Sequence, residues 1–263
     1  MNIVLVGNGA WAQKYISTLS KFPNINLQIA NRDNWKSLIL KILPKGVIVC
    51  TPPQSHIEIA TYSLKLGIPT MIEKPLSLSL SEANVLKQFC SPILVNHIHL
   101  FSGAYQNLRN IVKTNKIDKI SSLGFNKGPV RSYSSLWDYG CHDLSMILDL
   151  AGDMPEKINA AEMKTNSGSL FKLKLQFKTF DAECLVGNGG QKPIRKLKID
   201  CGGLKVEYND KYRPSEHAPP LDEAIRIFLA AIDGHKDYRL GIGLSLKVTQ
   251  VLESCEKILT PSN

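Results

Sequence analysis

Residues 3–12 read IVLVGNGAWA, and the fold turns on them. Ile3 to Val6 is a short unbroken apolar run, the pattern of a strand buried on both faces of a parallel sheet. The run stops at Gly7, and residues 10–21 (AWAQKYISTLSK) follow as a predicted helix with Tyr15, Ile16 and Leu19 on one face. Between strand and helix lies Gly7-Asn8-Gly9-Ala10-Trp11-Ala12, a G-x-G-x-x-A turn. Gly7 permits the tight bend, Gly9 clears the backbone for a pyrophosphate, and Ala12 lets the helix pack closely on the strand. A phosphate placed there meets free amides and the positive end of the helix dipole. Glycine turns are common by themselves; the strand, turn and helix around this one point to dinucleotide binding.

The alternation continues outward. Residues 26–30 (NLQIA) form a second predicted strand, whose end should deliver a ribose-binding acid about 20 residues beyond the turn. The chain instead reads Ala30-Asn31-Arg32-Asp33. No acid at the strand end rejects a 2′-phosphate, and Arg32 is placed to pair with one. NADP(H) is therefore the expected cofactor, with NAD(H) open because Asp33 lies close by. A third strand, GVIVC at 46–50, ends at Thr51-Pro52-Pro53, where proline stops further pairing. Ser55-His56-Ile57-Glu58 reads as a capping box opening a helix that Gly67 ends, with His56 in its first turn. Thr70 to Ile72 is a fourth strand, running into Glu73-Lys74-Pro75. A strand end needs none of those three residues, so they are either an ordinary charged turn or a placed lysine. A second capping box, Ser79 to Glu82, opens a helix through Phe89, and Ile93 to Asn96 is a fifth strand. Such alternation predicts a doubly wound parallel sheet with ligands beyond the carboxyl ends of its strands, which puts Lys74 on the cofactor's side.

From Lys119 the pattern changes, and two domains are expected, 1–118 and 119–263. A helix over 138–150 precedes strand candidates at 158–164, 169–177, 180–186, 194–200 and 203–208, separated by turn residues. Helices return at 221–233 and 243–259. The expected fold is α/β: an N-terminal Rossmann domain, then an α+β domain with an open, largely antiparallel sheet covered by helices on one face. Asp138 and His142 are four apart, so on a helix they face one way, and a carboxylate beside an imidazole sets a proton donor or acceptor near neutral pH. An N-cap aspartate followed by a structural histidine fits that spacing equally.

Composition narrows the function. The 263 residues are 43% hydrophobic, with no apolar run of membrane-spanning length, and the chain runs from Met1-Asn2 directly into its first strand, so a cytoplasmic location is expected. The net charge of +9 suits an anionic ligand such as a nucleotide or nucleotide-sugar, or else marks a lysine-rich surface. No nucleic-acid reader motif accompanies the basic stretches. Six scattered cysteines form no CxxC pair, which excludes a local zinc knuckle or dithiol motif.

Taken in order, the 7–12 turn, Thr51-Pro52-Pro53 with His56, Glu73-Lys74-Pro75, Asp138-x-Gly140-x-His142 and the 221–233 helix followed by a closing helix resemble the Gfo/Idh/MocA oxidoreductases. The resemblance spans the chain, which is shorter than the family norm, so a trimmed substrate domain is expected. Trp11 in its turn is similar to members acting on nucleotide-linked sugars. The family likeness implies hydride transfer between a nicotinamide and a carbinol carbon of a sugar or cyclitol, and a homo-oligomer. It implies Lys74 as the catalytic lysine at the substrate hydroxyl, Glu73 placing or pairing with it, His142 as general acid/base, and Asp138 as its partner or a substrate ligand. The expected cofactor contacts are Gly7, Asn8, Gly9, Ala10, Trp11, Ala12, Asn31, Arg32, Thr51, Pro52, His56, Glu73 and Lys74. Substrate contacts fall to Lys74, Asp138 and His142, with His97 and His99 lining the pocket; no third ligand accompanies those two, so no metal site is expected. A reductase of an imine or tetrapyrrole, and a non-catalytic NADP-sensing module, stand as alternatives.

Overall fold

The computed structural model describes residues 1–210 and 217–260. It divides into two compact units, one of Met1–Ile98 with Pro219–Leu246, the other of His99–Ala218 with the chain from Lys247 onward. Each unit is thus built from two stretches of chain, whereas a single cut at 118/119 is what the sequence suggests.

In the first unit, strands and helices alternate as β1 (Asn2–Val6), α1 (Ala10–Leu19), β2 (Asn26–Ala30), α2 (Trp35–Ile42), β3 (Gly46–Val49), α3 (His56–Lys65), β4 (Thr70–Glu73), α4 (Leu80–Asn84) and β5 (Ile93–Asn96). The strands pair in parallel in the order β2-β1-β3-β4-β5. The order reverses between β1 and β3, the switch point at which such sheets open a crevice beyond their carboxyl ends. Val4, Val6, Val47, Val49, Ile72 and Val95 are buried in one core cluster with Ile39, Ile59 and Leu64 from α2 and α3. Both faces are covered, which is why the strands read as apolar runs.

The two capping boxes fare differently. Ser79 accepts a hydrogen bond from the Glu82 amide, at 3.4 Å, and caps α4; that helix ends at Asn84 and a 3₁₀ turn carries the chain to Gln88, short of the expected Phe89. Ser55 makes no cap bond, because a 3₁₀ turn over Pro53–Ser55 precedes α3 and directs the Ser55 hydroxyl back to Thr51 Oγ1 (2.8 Å) and the Pro52 carbonyl.

The second unit carries α5 (Gly103–Lys113), β6 (Ile117–Phe125), α6 (Ser135–Ala151), β7 (Lys157–Thr165), β8 (Gly168–Gln176), β9 (Asp181–Gly187), β10 (Ile194–Cys201) and β11 (Leu204–Asn209). Two further helices follow: α7 (Pro220–Ile232), which lies in the first unit with Phe228 and Ile232 against Gly46, and α8 (Gly243–Leu259). The second sheet has the order β11-β10-β6-β9-β8-β7, antiparallel except where β6 and β9 run parallel. Its central strand β6 is missing from the sequence reading, where Lys, Asp and Ser residues obscure the alternation of buried Ile120, Ser122 and Gly124. On one face Leu173, Leu175, Ala182, Cys184, Val186, Leu197 and Ile199 are buried, and α6 packs across β6, β8 and β9. The other face pairs Lys172 and Lys174 with Glu183, and Lys196 and Lys198 with Glu207. Among the described residues no helix is long and apolar enough to cross a membrane.

Candidate active site

The glycine turn is built for close approach. Gly7 has φ 124°, and a Cβ there would collide with the Cys50 carbonyl. Only glycine fits. Gly9 caps α1 without any side-chain cap bond, has nothing within 4 Å of where a Cβ would stand, and no acidic residue follows in the first helical turn. Unclaimed amides, open space and the helix dipole suit the phosphates of a dinucleotide. Asn8, Ala10 and Trp11 are exposed and Ala12 is buried, the latter as close helix packing requires.

Beyond the turn, the carboxyl ends of β3, β4 and β5 present Thr51, Lys74 and His97 at the same edge of the parallel sheet. Glu73 is 6% exposed, and its carboxylate is an internal acceptor. Its Oε1 takes hydrogen bonds from Trp11 Nε1 (2.7 Å), the Tyr15 hydroxyl (2.6 Å) and Asn96 Nδ2 (2.7 Å), while Oε2 accepts from the Lys74 amide (3.1 Å). Burial first, and the Glu73 charge second, hold the Tyr15 phenol well above its ordinary pKa, so it remains a donor. Burial followed by Glu73 likewise raises the Cys50 thiol. His56 is fully buried, with Nδ1 2.9 Å from the Pro75 carbonyl and Nε2 2.8 Å from that of Thr51. Its pKa is lowered by burial, against the opposing pull of those carbonyls. The ring therefore ties the segment after β3 to the segment after β4, and protein backbone flanks it on both sides.

Lys74 is half-buried at the end of β4. His97, 2% exposed, sits with Nε2 3.0 Å from Ser245 Oγ, and its pKa is pushed down to about 3, by burial and then by the charge of Lys74. It is a neutral imidazole. At the end of β2, Asn31 is used locally: its Oδ1 accepts from the amides of Asp33 (2.9 Å) and Asn34 (3.1 Å), and Asn34 Oδ1 accepts from the Asn31 amide (2.8 Å). Arg32 projects from this turn and is exposed.

In the second unit, Ser134 caps α6 by accepting from the Leu136 amide (3.2 Å). The helix begins three residues ahead of Asp138, so Asp138 and His142 occupy consecutive turns. Asp138 is 7% exposed and accepts from Arg131 Nε at 3.3 Å. His142 lies against His99, ring centroids 4.9 Å apart at 80°, and His99 Nδ1 is 2.8 Å from the Tyr208 hydroxyl. His97 and His99, read together in the sequence as a pocket-lining pair, fall in different units. Gly140, between Asp138 and His142, leaves room for Leu252, whose Cδ2 lies 3.0 Å from the position a Cβ would take. Among the described residues no three His, Cys, Asp or Glu side chains converge to hold a metal.

Sequence reasoning missed Tyr15, Asn96, Tyr208 and the buried pair Asp143–Arg195, which also engages Ser122. One signal existed for the pair: Arg195 shares the alternating face of Leu197, Ile199 and Cys201, and an arginine on an apolar strand face needs a buried partner.

Comparison with known proteins follows the same lines. Residues 19–92 match the family model described as the Gfo/Idh/MocA oxidoreductase family, NAD-binding Rossmann fold. Oxidoreductase P35 of Formosa agariphila is 29% identical over 86% of this chain and 85% of its own. A crystal structure from Magnetospirillum magnetotacticum superposes with a TM-score of 0.84 at 26% identity, covering 97% of this chain and 99% of that one. The UDP-N-acetylglucosamine 3-dehydrogenase of Acidithiobacillus ferrooxidans superposes with a TM-score of 0.81 at 15% identity, over 98% and 97% of the two chains. Residues 19–92 are thus similar to the NAD-binding Rossmann fold of the Gfo/Idh/MocA oxidoreductases, and the chain as a whole shares the fold of these solved structures.

Proposed function

We propose that the protein moves a hydride between a nicotinamide dinucleotide and a carbinol carbon of a sugar or nucleotide-sugar. The observation that carries this is the common edge of the parallel sheet, where the glycine turn, Thr51, Lys74 and the neutral imidazole of His97 all follow strand ends. Resemblance to a nucleotide-sugar dehydrogenase and a net charge of +9 support an anionic, sugar-linked substrate.

The turn from Gly7 to Ala12 would hold the pyrophosphate, with Thr51 and Pro52 beside it, and the bound nicotinamide supplies the hydride acceptor or donor. Lys74 then hydrogen-bonds the reacting hydroxyl and stabilises the negative charge that develops on its oxygen. His142 takes the hydroxyl proton in oxidation and returns it in reduction. Asp138 positions substrate or His142, while His97 and His99 contribute polar contacts. Lys74→Met and His142→Ala should each lower turnover on a nucleotide-sugar panel by roughly 10²–10⁴-fold, the range for loss of an acid–base group. Normal turnover in both variants would refute the assignment.

NADP(H) is the preferred form on this reading. Asn31 is engaged in its turn and Arg32 is exposed beside it, where a guanidinium can pair with a 2′-phosphate. Fluorescence titration should find NADPH tighter than NADH, with Arg32→Ala weakening NADPH about tenfold, as expected for one charge-assisted bond, and leaving NADH unchanged. Tighter NADH binding by the native protein would reverse the preference.

A further inference from the structure

His142 stands one helical turn beyond Asp138, and a second histidine ring packs against it. His99 and His142 meet edge to face with centroids 4.9 Å apart. Two imidazoles this close resist carrying a proton each, because the second positive charge is raised in energy by the first. One of the pair must be favoured, and the surroundings of His99 decide which.

His99 Nδ1 lies 2.8 Å from the hydroxyl of Tyr208, which is 2% exposed at the end of β11. The Tyr208 ring is boxed by His99 (centroids 5.9 Å, 72°) and by Tyr105 of α5 (6.1 Å, 87°), so the phenol has one position. Ser102 also acts on the phenol oxygen and opposes the rise in its pKa that burial causes. The phenol has one O–H to give, and His99 Nδ1 at 2.8 Å is an acceptor within its reach. Burial raises the Tyr208 pKa, so the proton stays on the phenol. A donor aimed at Nδ1 favours the imidazole lone pair there and disfavours protonation of that nitrogen.

We propose that Tyr208 locks His99 as the neutral Nε2–H tautomer, which makes His142 the member of the pair that accepts a proton. His99 and Tyr208 are then positioning residues for His142. The charged groups around the pair are Asp138 and Asp143 on α6, Arg131 bonded to Asp138, Arg195 on β10 and Asp210 after β11. None of them displaces the phenol as the partner of His99 Nδ1. The catalytic meaning of this lock depends on the role given to His142 above, but the lock itself is a property of the folded chain and is read without turnover.

The test is imidazole nitrogen NMR on the full chain labelled in its six histidines, with His99→Phe and His142→Gln assigning the signals. Between about pH 5 and 8 His99 should keep its proton on Nε2 and not titrate, while His142 gains a proton as the pH falls. In Tyr208→Phe, His99 should begin to titrate and the His142 midpoint should fall by roughly half a unit or more, as coupled sites require. In His99→Phe, His142 should titrate alone, and adding Tyr208→Phe should move it no further. A native His99 protonated on Nδ1, or one titrating above His142, overturns the proposal without recourse to any variant. So does a folded Tyr208→Phe protein in which His99 still does not titrate and the His142 midpoint is unmoved. Loss of turnover in His142→Ala alongside either result would leave the catalytic reading standing and remove only the lock.

Discussion

Glu73 joins residues that are distant in sequence: Trp11 and Tyr15 lie 62 and 58 positions before it, and Asn96 lies 23 after. A single charged oxygen accepts all three donors, and the other oxygen holds the amide of Lys74. The glycine turn and the proposed catalytic lysine are thereby fixed to one carboxylate. Glu73→Gln removes the charge that strengthens these bonds and sets an amide NH₂ against the Lys74 N–H. Hydrogen bonds to charged groups contribute about 1.5–3 kcal/mol, so a loss of that order is expected. Thermal unfolding should register it as a fall of roughly 3–12 °C, at about 2–4 °C per kcal/mol for a chain of this size. An unchanged midpoint would mean that the carboxylate is dispensable to the fold. The sequence marks Glu73 by its place before Lys74 but gives no hint of its partners, because hydrogen bonding across a sheet leaves no periodic trace.

Helix α6 serves two purposes on successive residues. His142 meets His99, while Asp143, 0% exposed, faces the sheet and pairs with Arg195 of β10, bonded also by Ser122 of β6. Burial raises the Asp143 pKa, and Arg195 and Ser122 oppose the shift. Gly124 is required there, since a Cβ would occupy the space of both the carboxylate and the guanidinium. Arg195→Met would leave Asp143 as an uncompensated buried acid and should cost about 3–5 kcal/mol. The double variant Asp143→Asn with Arg195→Met should recover much of that loss, because a buried ion pair is often replaceable by neutral residues while half of one is not. Chemical denaturation of the two singles and the double reads the coupling; strict additivity would show that the groups do not act as a pair. Since the pair anchors α6 to β6 and β10, it also sets the rotation at which the helix presents His142.

For the molecule as a whole, buried neutral histidines govern the response to acid. His97 has a folded pKa of about 3 against 6.5 for an unconstrained imidazole, and burial lowers that of His56 as well. Below about pH 6.5 the unfolded chain binds protons that these folded side chains refuse, so stability is complete above that pH and declines as pH falls toward 3. Each such histidine contributes a slope of up to about 1.4 kcal/mol per pH unit. Asp143, with its raised pKa, acts in the opposite sense nearer the carboxylate range. Melting temperatures measured from pH 7 to pH 5 should therefore drop, and His97→Gln should show the shallower decline whatever its absolute stability. A flat profile in the native protein would contradict neutral burial of these rings.

The sequence by itself determined the parallel sheet, the glycine turn after its first strand and five of the six strands of the second sheet. Those features rest on local periodicity and on glycine at φ 124°, which are written within a few residues of one another. It also singled out Lys74 and the Asp138 to His142 segment. Only the tertiary structure decided that Glu73 is an internal hub, that His56 is enclosed by carbonyls, that β6 lies at the centre of its sheet, and that His99 rather than its neighbour His97 meets His142. Each of these depends on contacts between segments far apart in the chain. Such contacts are selected by burial and by the need to pair every buried polar group, and neither condition can be evaluated until the chain has folded.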